Sequence, residues 1–253
     1  MKYGICNIST APLRAQAADT AEMVTQLLYG ELFEVLATPG KWSRIRLTFD
    51  GYEGFIDTKQ FQFISKETHQ KCKSETPALS TRTIDFVVNA KNETITIPLG
   101  CAVGFSTIMG HTFAGPATST KKEKAALVEH ALQYLNAPYL WGGKTPFGID
   151  CSGFTQMAHK LCGYRLLRDA SQQAEQGQAI ATIEESGPGD LAFFNTTGTA
   201  ISHVGIIMKN RYIVHAHGHV RVDRLDQKGI YNAEKQQHTH KLCVIKRVIK
   251  KTL

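Results

Sequence analysis

Ten histidines and six cysteines are the side chains of this 253-residue sequence best suited to nucleophilic or acid–base chemistry. One cysteine stands apart by its setting. Cys151 ends the glycine-rich, proline-broken stretch YLWGGKTPFGIDC and opens the helix-like run CSGFTQMAHKLCG. A cysteine that only packs needs no such place, since it behaves as a small hydrophobe almost anywhere. A nucleophilic cysteine gains from it, because the thiolate is the attacking form and a helix N-terminus lowers the thiol's pKa. Cys6, Cys72, Cys101, Cys162 and Cys243 are widely spread, and no two cysteines form a CxxC pair. That spacing matches neither a disulfide framework nor a zinc finger.

A thiol nucleophile needs a base within hydrogen-bond reach, and the base needs a third group to orient it. His203 begins HVGIIM and His215 lies in RYIVHA, with Lys209-Asn210 near the reversal between them. In an antiparallel hairpin the numbers of opposed residues have a constant sum. A two-residue loop at Lys209-Asn210 pairs His203 with Ala216 and puts the two histidines on opposite faces. A three-residue loop, Met208-Lys209-Asn210, pairs Ile207 with Arg211 and His203 with His215. Such loops commonly end on a left-handed residue, which asparagine tolerates. The three-residue loop is the expected one. Opposed Cβ atoms then lie about 4.5–5.5 Å apart, close enough for an imidazole–imidazole hydrogen bond. His203 is the expected base and His215 the residue that orients it. A rival reading uses His215, His217 and His219, which alternate along HAHGH and share one strand face. Three imidazoles there offer a zinc site and a metal-dependent hydrolase, provided the strand bends enough for them to converge.

Secondary structure must bring these residues together. Residues 1–65 alternate short apolar runs with turn residues, as in ELFEVLATPGKWSRIRLTFDGYEGFID, where Pro39-Gly40 and Asp50-Gly51 separate strand-like pieces. Phe33, Val35, Trp42, Ile45, Leu47 and Phe55 fall at half-buried strand spacing, which predicts a small β-barrel. Residues 66–118 are strand-like with a weaker pattern, in TIDFVVNA and ETITIPLGCAVGF. The composition shifts near residue 119. Leu127, Val128, Ala131, Leu132 and Leu135 repeat at helical spacing until Pro138 stops the run. After Cys151, the residues Phe154, Met157, Ala158 and Leu161 form one apolar face. Gln156, His159 and Lys160 point away, Cys162 is a buried filler and Gly163 is the expected stop. From Gly187 the sequence turns to strands: LAFF, SHVGIIM, RYIVHAHGHVRV and HKLCVIKRVI. Helices followed by consecutive strands predict an α+β domain over 119–253 with an antiparallel sheet.

With 42% hydrophobic and 20% charged residues the composition is that of an ordinary globular protein, and its length suits two or three domains. The net charge of +7 suits acidic partners, but the basic residues are scattered and form no basic-aromatic stripe, so nucleic acid is not the expected partner. No apolar run is long enough to span a membrane, and the first residues, MKYGICNISTAPLRAQAADT, have no signal-like apolar core. The expected location is the cytoplasm.

The blocks APYLWGGKTPFGIDCSGFTQ, GDLAFFN, ISHVGIIM and YIVHAHGHVR resemble, in order and spacing, the NlpC/P60 family of papain-like cysteine peptidases. The resemblance runs from about residue 120 to the end, and residues 1–65 resemble the SH3-like module that precedes such domains. It implies an SH3-like barrel over 1–65, a second, degenerate SH3-like domain over 66–118 and the peptidase domain over 119–253. The whole chain most resembles the γ-D-glutamyl-L-diamino acid endopeptidases, which process cell-wall peptides carrying a free N-terminal L-alanine. Carried over residue by residue, the likeness makes Cys151 the nucleophile, His203 the base and His215 the third polar residue. The Cys151 amide and the Tyr139 hydroxyl become oxyanion donors. Asp150 and Ser152 match positions that hold the substrate amine, and Asp169 and Ser171 of RDASQQ border the cleft. Tyr52 and Glu53 of DGYEGF are the SH3-like module's candidates for contact with that amine. No cofactor or metal is implied, the partners are peptidoglycan-derived peptides, and a monomer is expected. Bottom-up, Asp150 has two readings: it raises the neighbouring thiol's pKa unless paired with a substrate ammonium, or it simply caps the helix. His217 departs from the family pattern, which has a small residue there. A non-catalytic cell-wall binding protein and an acyltransferase of related fold remain as other classes.

Overall fold

The computed structural model of the protein describes residues 2–38, 40–195 and 200–249. Pro39, half of the expected Pro39-Gly40 turn, lies outside the described residues. The chain divides into two compact units, Met1–Ser119 and Thr120–Leu253.

In the first unit, β1 (Lys2–Ile5), β2 (Thr10–Arg14), β3 (Met23–Leu28), β4 (Leu32–Ala37), β5 (Trp42–Leu47), β6 (Glu53–Asp57) and β7 (Gln62–Ile64) form one antiparallel sheet. Its strand order is β3-β2-β6-β5-β4-β1-β7. Phe33, Val35, Ile45 and Leu47 meet Leu13, Leu27 and Ile56 in a single buried cluster. Ile56 takes the inward place on β6, so Phe55 faces the other way and is only half-buried. At the Asp50-Gly51 turn, Asp50 Oδ1 accepts from the Tyr52 amide at 3.0 Å, and Gly51 supplies the positive φ. Residues beyond the sheet contain a helix that the sequence pattern did not announce, α1 (Lys66–Ser74), capped by Ser65 accepting from the Thr68 amide. Short strands follow: β8 (Leu79–Ser80), β9 (Ile84–Val88), β10 (Thr94–Pro98), β11 (Thr112–Phe113) and β12 (Ala117–Thr118), in sheets β10-β9-β11 and β12-β8.

The second unit opens with α2 (Ala126–Leu132), the tight hairpin of β13 (Lys144–Thr145) and β14 (Gly148–Ile149), α3 (Cys151–Leu161) and α4 (Ala170–Ala174). Then come β15 (Gln178–Ile180), β16 (Leu191–Asn195), β17 (His203–Ile207), β18 (Tyr212–His217), β19 (His219–Asp226), β20 (Gly229–Asn232) and β21 (Gln237–Arg247). The order is β15-β21-β16-β17-β18-β19-β20, and β20 also pairs with β21. The antiparallel sheet therefore closes on itself, with six strands in the ring. Ala192, Phe194, Ile207, Ile213, Leu225, Ile230 and Ile245 fill one face. Period-two alternation puts His203 and His215 in the same row as Ile207 and Ile213.

Three expectations need correction here. α2 stops at Leu132, and Leu132 and Leu135 are exposed while Tyr134 is fully buried, because the chain leaves the helix before the apolar stripe ends. α3 is not amphipathic in its surroundings: every residue from Cys151 to Leu161 is buried, Gln156, His159 and Lys160 included. The polar ones are accommodated by local bonds, such as Gln156 Nε2 donating to the Leu166 carbonyl at 3.0 Å. The run RYIVHAHGHVRV is two strands, not one, because Gly218 at φ 75° reverses the chain and sets His217 against His219. Gly163 does end α3, at φ 79°, with Cys162 buried before it.

Candidate active site

The glycines around the cysteine allow close backbone packing. A side chain on Gly143 would run into the Gly148 carbonyl, and one on Gly153 into the Gly143 carbonyl. Loop and helix therefore lie backbone against backbone, and the first turn of α3 is fixed from outside. Asp150 caps that turn, its Oδ1 accepting from the Gly153 amide at 2.6 Å. Arg168 reaches the same carboxylate with both guanidinium arms, Nη1 to Oδ1 at 3.0 Å and Nη2 to Oδ2 at 2.6 Å, and Gly142 donates to Oδ2 at 2.8 Å. Arg168 Nη1 also donates to Ser152 Oγ at 2.8 Å. Arg168 and Asp150 are both buried, so this is a desolvated, bidentate ion pair beside Cys151.

Cys151 itself is 6% exposed. Burial pushes its thiol up to about 12, and the Asp150 charge pushes the same way. The Val204 amide, Arg168 and the Ser152 amide act in the opposite sense. The thiol is thus protonated at rest, with two backbone amides already aimed at the sulfur for the moment it becomes charged.

His203 Nε2 and His215 Nδ1 are 2.8 Å apart, although not through the expected register. Ile207 faces Ile213 and Gly205 faces His215, so the constant sum is larger by two than a loop at Met208-Lys209-Asn210 required. The Met208 amide donates to the Tyr212 carbonyl at 2.8 Å, so the reversal is three residues long but lies at Lys209–Arg211, one position later, with Asn210 and Arg211 both at a positive φ of 59°. A shift of two preserves the face of every side chain, so the two histidines remain neighbours, now on a diagonal. The close approach depends on Gly205, where a Cβ would stand 2.9 Å from His215 Cβ.

Behind His215 the chain of bonds continues. His215 Nε2 lies 3.0 Å from Asp223 Oδ2, and Arg221 donates to that carboxylate from Nε at 2.8 Å and from Nη2 at 3.1 Å. Burial is the largest influence on His203 and lowers it well below the usual imidazole value; the neighbouring His215, His240 and His217 add to the effect. His203 is therefore a neutral imidazole, the form that can accept a proton.

Residues 136–240 match the NlpC/P60 family, and residues 13–61 match the bacterial dipeptidyl-peptidase SH3 domain. The chain carries an NlpC/P60 peptidase domain. It is 28% identical over 217 residues to the γ-D-glutamyl-L-lysine dipeptidyl-peptidase of Bacillus subtilis, covering 76% of this chain and 71% of that relative. It is 29% identical over 257 residues to dipeptidyl-peptidase 6 of Lysinibacillus sphaericus, covering 86% and 90%. A crystal structure of an NlpC/P60 family protein from Bacillus cereus superposes with a TM-score of 0.76 at 18% identity, over 98% of this chain and all of that one. The N-terminal all-β region is accordingly SH3-like, and the α+β unit behind it has the NlpC/P60 fold.

The remaining site candidates of the NlpC/P60 domain are placed as follows. Tyr139 lies within electrostatic reach of the Cys151 thiol, and burial raises its phenol, with the Cys151 and Asp150 charges adding to the effect. Asp169 caps α4 in a capping box with Gln172, and Ser171 is exposed on that helix. Within RDASQQ it is Arg168 and Gln173 that reach α3, Gln173 Nε2 donating to the Ser152 carbonyl at 2.9 Å. Neither was among the candidates. His219 lies on β19 opposite His217, across the Gly218 reversal, so the three histidines are not successive same-face residues of one strand. Among the described residues no cluster of His, Cys, Asp or Glu is arranged to hold a metal ion. In the SH3-like unit, Glu53 is paired with Arg46 at 2.7 Å and Arg44 at 2.8 Å, which hold its carboxyl below the usual range, and Tyr52 packs half-buried on the barrel core.

Asp223 and Arg221 are not legible as neighbours of His215 when HAHGHVRV reads as one strand. A reversal at Gly218 puts His215 opposite Arg221 and Ile213 opposite Asp223, which was the signal available.

Proposed function

We propose that this protein is a cysteine peptidase that hydrolyses the bond between γ-D-glutamate and an L-diamino acid in peptidoglycan stem peptides bearing a free N-terminal L-alanine, in cytoplasmic recycling of cell-wall peptides. The observation that carries the reading is a helix-opening thiol that takes the amide of Val204, the residue after His203, while His203 Nε2 is engaged by His215. That bond leaves His203 Nδ1 for the thiol. The name of the Bacillus subtilis relative supports the choice of bond.

In this mechanism His203 Nδ1 takes the Cys151 proton as sulfur attacks the γ-glutamyl carbonyl. Neither charge is favourable alone in so buried a place, so thiolate and imidazolium arise together and offset each other. The Cys151 amide and the Tyr139 hydroxyl receive the oxyanion. His203 then protonates the departing amine, leaving a thioester, and next serves as base for the water that releases L-Ala-D-Glu. Asp150 meets an incoming ammonium as a carboxylate already neutralised by Arg168, so recognition of the amine is shared with Ser152 and the other cleft residues rather than resting on one charge.

The test is mass spectrometry of L-Ala-γ-D-Glu-meso-diaminopimelate incubated with wild type and with Cys151→Ala, alongside the N-acetylated peptide. Release of L-Ala-D-Glu by wild type alone, blocked by acetylation, is the expected result. An intact free-amine peptide together with cleaved muropeptides would overturn the recycling assignment.

A further inference from the structure

We infer that Asp223, held by Arg221, is a positioning residue that dictates which nitrogen of His203 carries the proton. The inference rests on the nucleophilic role proposed for Cys151, and its geometry is a linear relay. Arg221 donates two hydrogen bonds to Asp223. All the donor capacity of the guanidinium fork is irrelevant to catalysis except that it fixes both carboxylate oxygens, with Oδ2 left pointing at His215 Nε2. A carboxylate only accepts, so the proton of His215 must sit on Nε2. His215 Nδ1 is then a lone pair. It lies 2.8 Å from His203 Nε2 and can only accept, so the His203 proton must sit on Nε2 as well. The lone pair of His203 is thereby placed on Nδ1, the one nitrogen left for the thiol. Two successive imidazoles transmit the polarity of a carboxylate that touches neither the base nor the nucleophile.

Without that anchor each imidazole is free to take the other tautomer. A proton on His215 Nδ1 would require a lone pair on His203 Nε2, and His203 would present N–H to a thiol it has to deprotonate. The groups facing His215 leave Asp223 as the determinant. From β17 comes His203, from its own strand His217, from β21 His240, and from β19 His219, Asp223 and Arg221, the last also 3.3 Å from Glu234. Of these, only Asp223 is an anion in hydrogen-bond contact with the ring. Burial is the largest influence on the Asp223 carboxyl and raises it, but the bonds from His215 and Arg221 leave it below its ordinary value, so it is ionised at neutral pH.

The experiment reads tautomers directly, through the side-chain 15N resonances of His203 and His215 in the full-length chain, in wild type, Asp223→Asn and Asp223→Glu. Alkylation of Cys151 by iodoacetamide is followed in parallel by peptide mass, which separates it from exposed Cys243. Wild type should carry both protons on Nε2. In Asp223→Asn, whose amide can turn its NH2 toward His215, the protons should move to Nδ1 in a large fraction of molecules. Alkylation at pH 7 should fall at least about tenfold, and kcat about 100-fold with KM little changed. Asp223→Glu should restore the tautomers in part. A wild-type His203 protonated on Nδ1 would overturn the inference, and that spectrum decides even if the variants do not fold. So would an Asp223→Asn chain that loses stability but keeps wild-type tautomers and alkylation, since that is what a merely structural residue does. The tautomer and alkylation readouts do not use the peptide substrate, so a failed cleavage assay beside the expected tautomers and alkylation would count against the proposed substrate and leave this relay standing.

Discussion

At the residue scale, Asp150 and Arg168 form the arrangement most sensitive to a single change. Their bidentate pair is buried, and removing one partner leaves the other charge uncompensated, at a cost of about 3–5 kcal/mol. Asp150→Asn keeps an oxygen for the helix cap but strands Arg168. Its melting temperature should fall by several degrees in a thermal scan. The same change acts on chemistry in a known direction. Asp150 raises the Cys151 thiol and Arg168 lowers it, so the variant should have a more acidic thiol, read as iodoacetamide alkylation rising at lower pH than in wild type. A thiol titrating higher in Asp150→Asn would mean the carboxylate does not face the sulfur electrostatically. The placing of Cys151 at a helix start and the pairing of His203 with His215 were legible in the sequence because chemistry constrains residue types and order: a cysteine behind glycines, and two histidines on neighbouring strands. Arg168 was not legible. Nothing in RDASQQ distinguishes an arginine that returns to Asp150 from one that meets solvent, since the partner lies 18 positions away.

At the element scale, what the sequence revealed depended on whether a pattern was local. Strand alternation gave β16, β17 and the start of β18 their places. The hairpin between β17 and β18 has the expected three-residue loop, but one position later than Met208-Lys209-Asn210, because Arg211 as well as Asn210 takes left-handed backbone, and arginine rarely announces that conformation. The error was harmless to the site because it was even. α1 escaped notice since only His69 and Cys72 are buried among its nine residues, too few to write a stripe. α3 did write a stripe, yet its other face is covered as well, which no single helix can report about itself. The register that did form makes a prediction at Gly205. A Cβ there would stand 2.8 Å from Ile213 Cδ1 and 2.9 Å from His215 Cβ. Gly205→Ala should therefore push β17 and β18 apart at the histidine pair, costing about 1–3 kcal/mol. Activity should fall with it, beyond what lost folding explains, when rates are measured well below the melting temperature. Gly218→Ala is the control on the next hairpin: its Cβ meets nothing within 4 Å, so only backbone strain of about 1 kcal/mol is expected, with the His203–His215 pair intact. Equal losses in the two variants would remove the argument that close strand approach sets the pair.

At the scale of the whole molecule, both units bury neutral imidazoles, and this sets how the protein responds to acid. Burial is the first cause of the lowered values of His69 and His111 in the SH3-like unit, and of His130, His159, His203, His215 and His240 in the NlpC/P60 unit. His159 is brought down to about 4 and His240 to about 3. An unfolded chain protonates these rings near pH 6.5, so between pH 6.5 and the folded values the unfolded state binds more protons. Stability must then rise with pH across that window and be fully present above it. It is lost as pH falls from 6.5 toward 4. The carboxylates add a second decline further down. Asp190, raised by burial but brought below its ordinary value by Arg247 and Lys124, keeps its stabilising charge until the pH approaches its own lower range. The melting temperature should thus be flat between about pH 7 and 8, fall below about pH 6.5, and fall again below about pH 4. Above about pH 8.5 the buried Cys151 and Cys162 thiols, raised to about 12 and about 11, add a separate alkaline decline. His159 isolates the first decline, because it is fully buried, donates from Nδ1 to the Thr155 carbonyl at 2.8 Å and leaves Nε2 without a partner. A shift of this size corresponds to about 3 kcal/mol at pH 4 relative to pH 7. His159→Leu removes the titrating ring and an unsatisfied nitrogen together, at the expense of one bond to a carbonyl. The difference between its stability at pH 7 and at pH 4 should shrink by that amount in denaturant titrations. If wild type and His159→Leu lose stability in parallel down to pH 4, the buried rings are not what makes the fold sensitive to acid, and the decline belongs to the carboxylates alone.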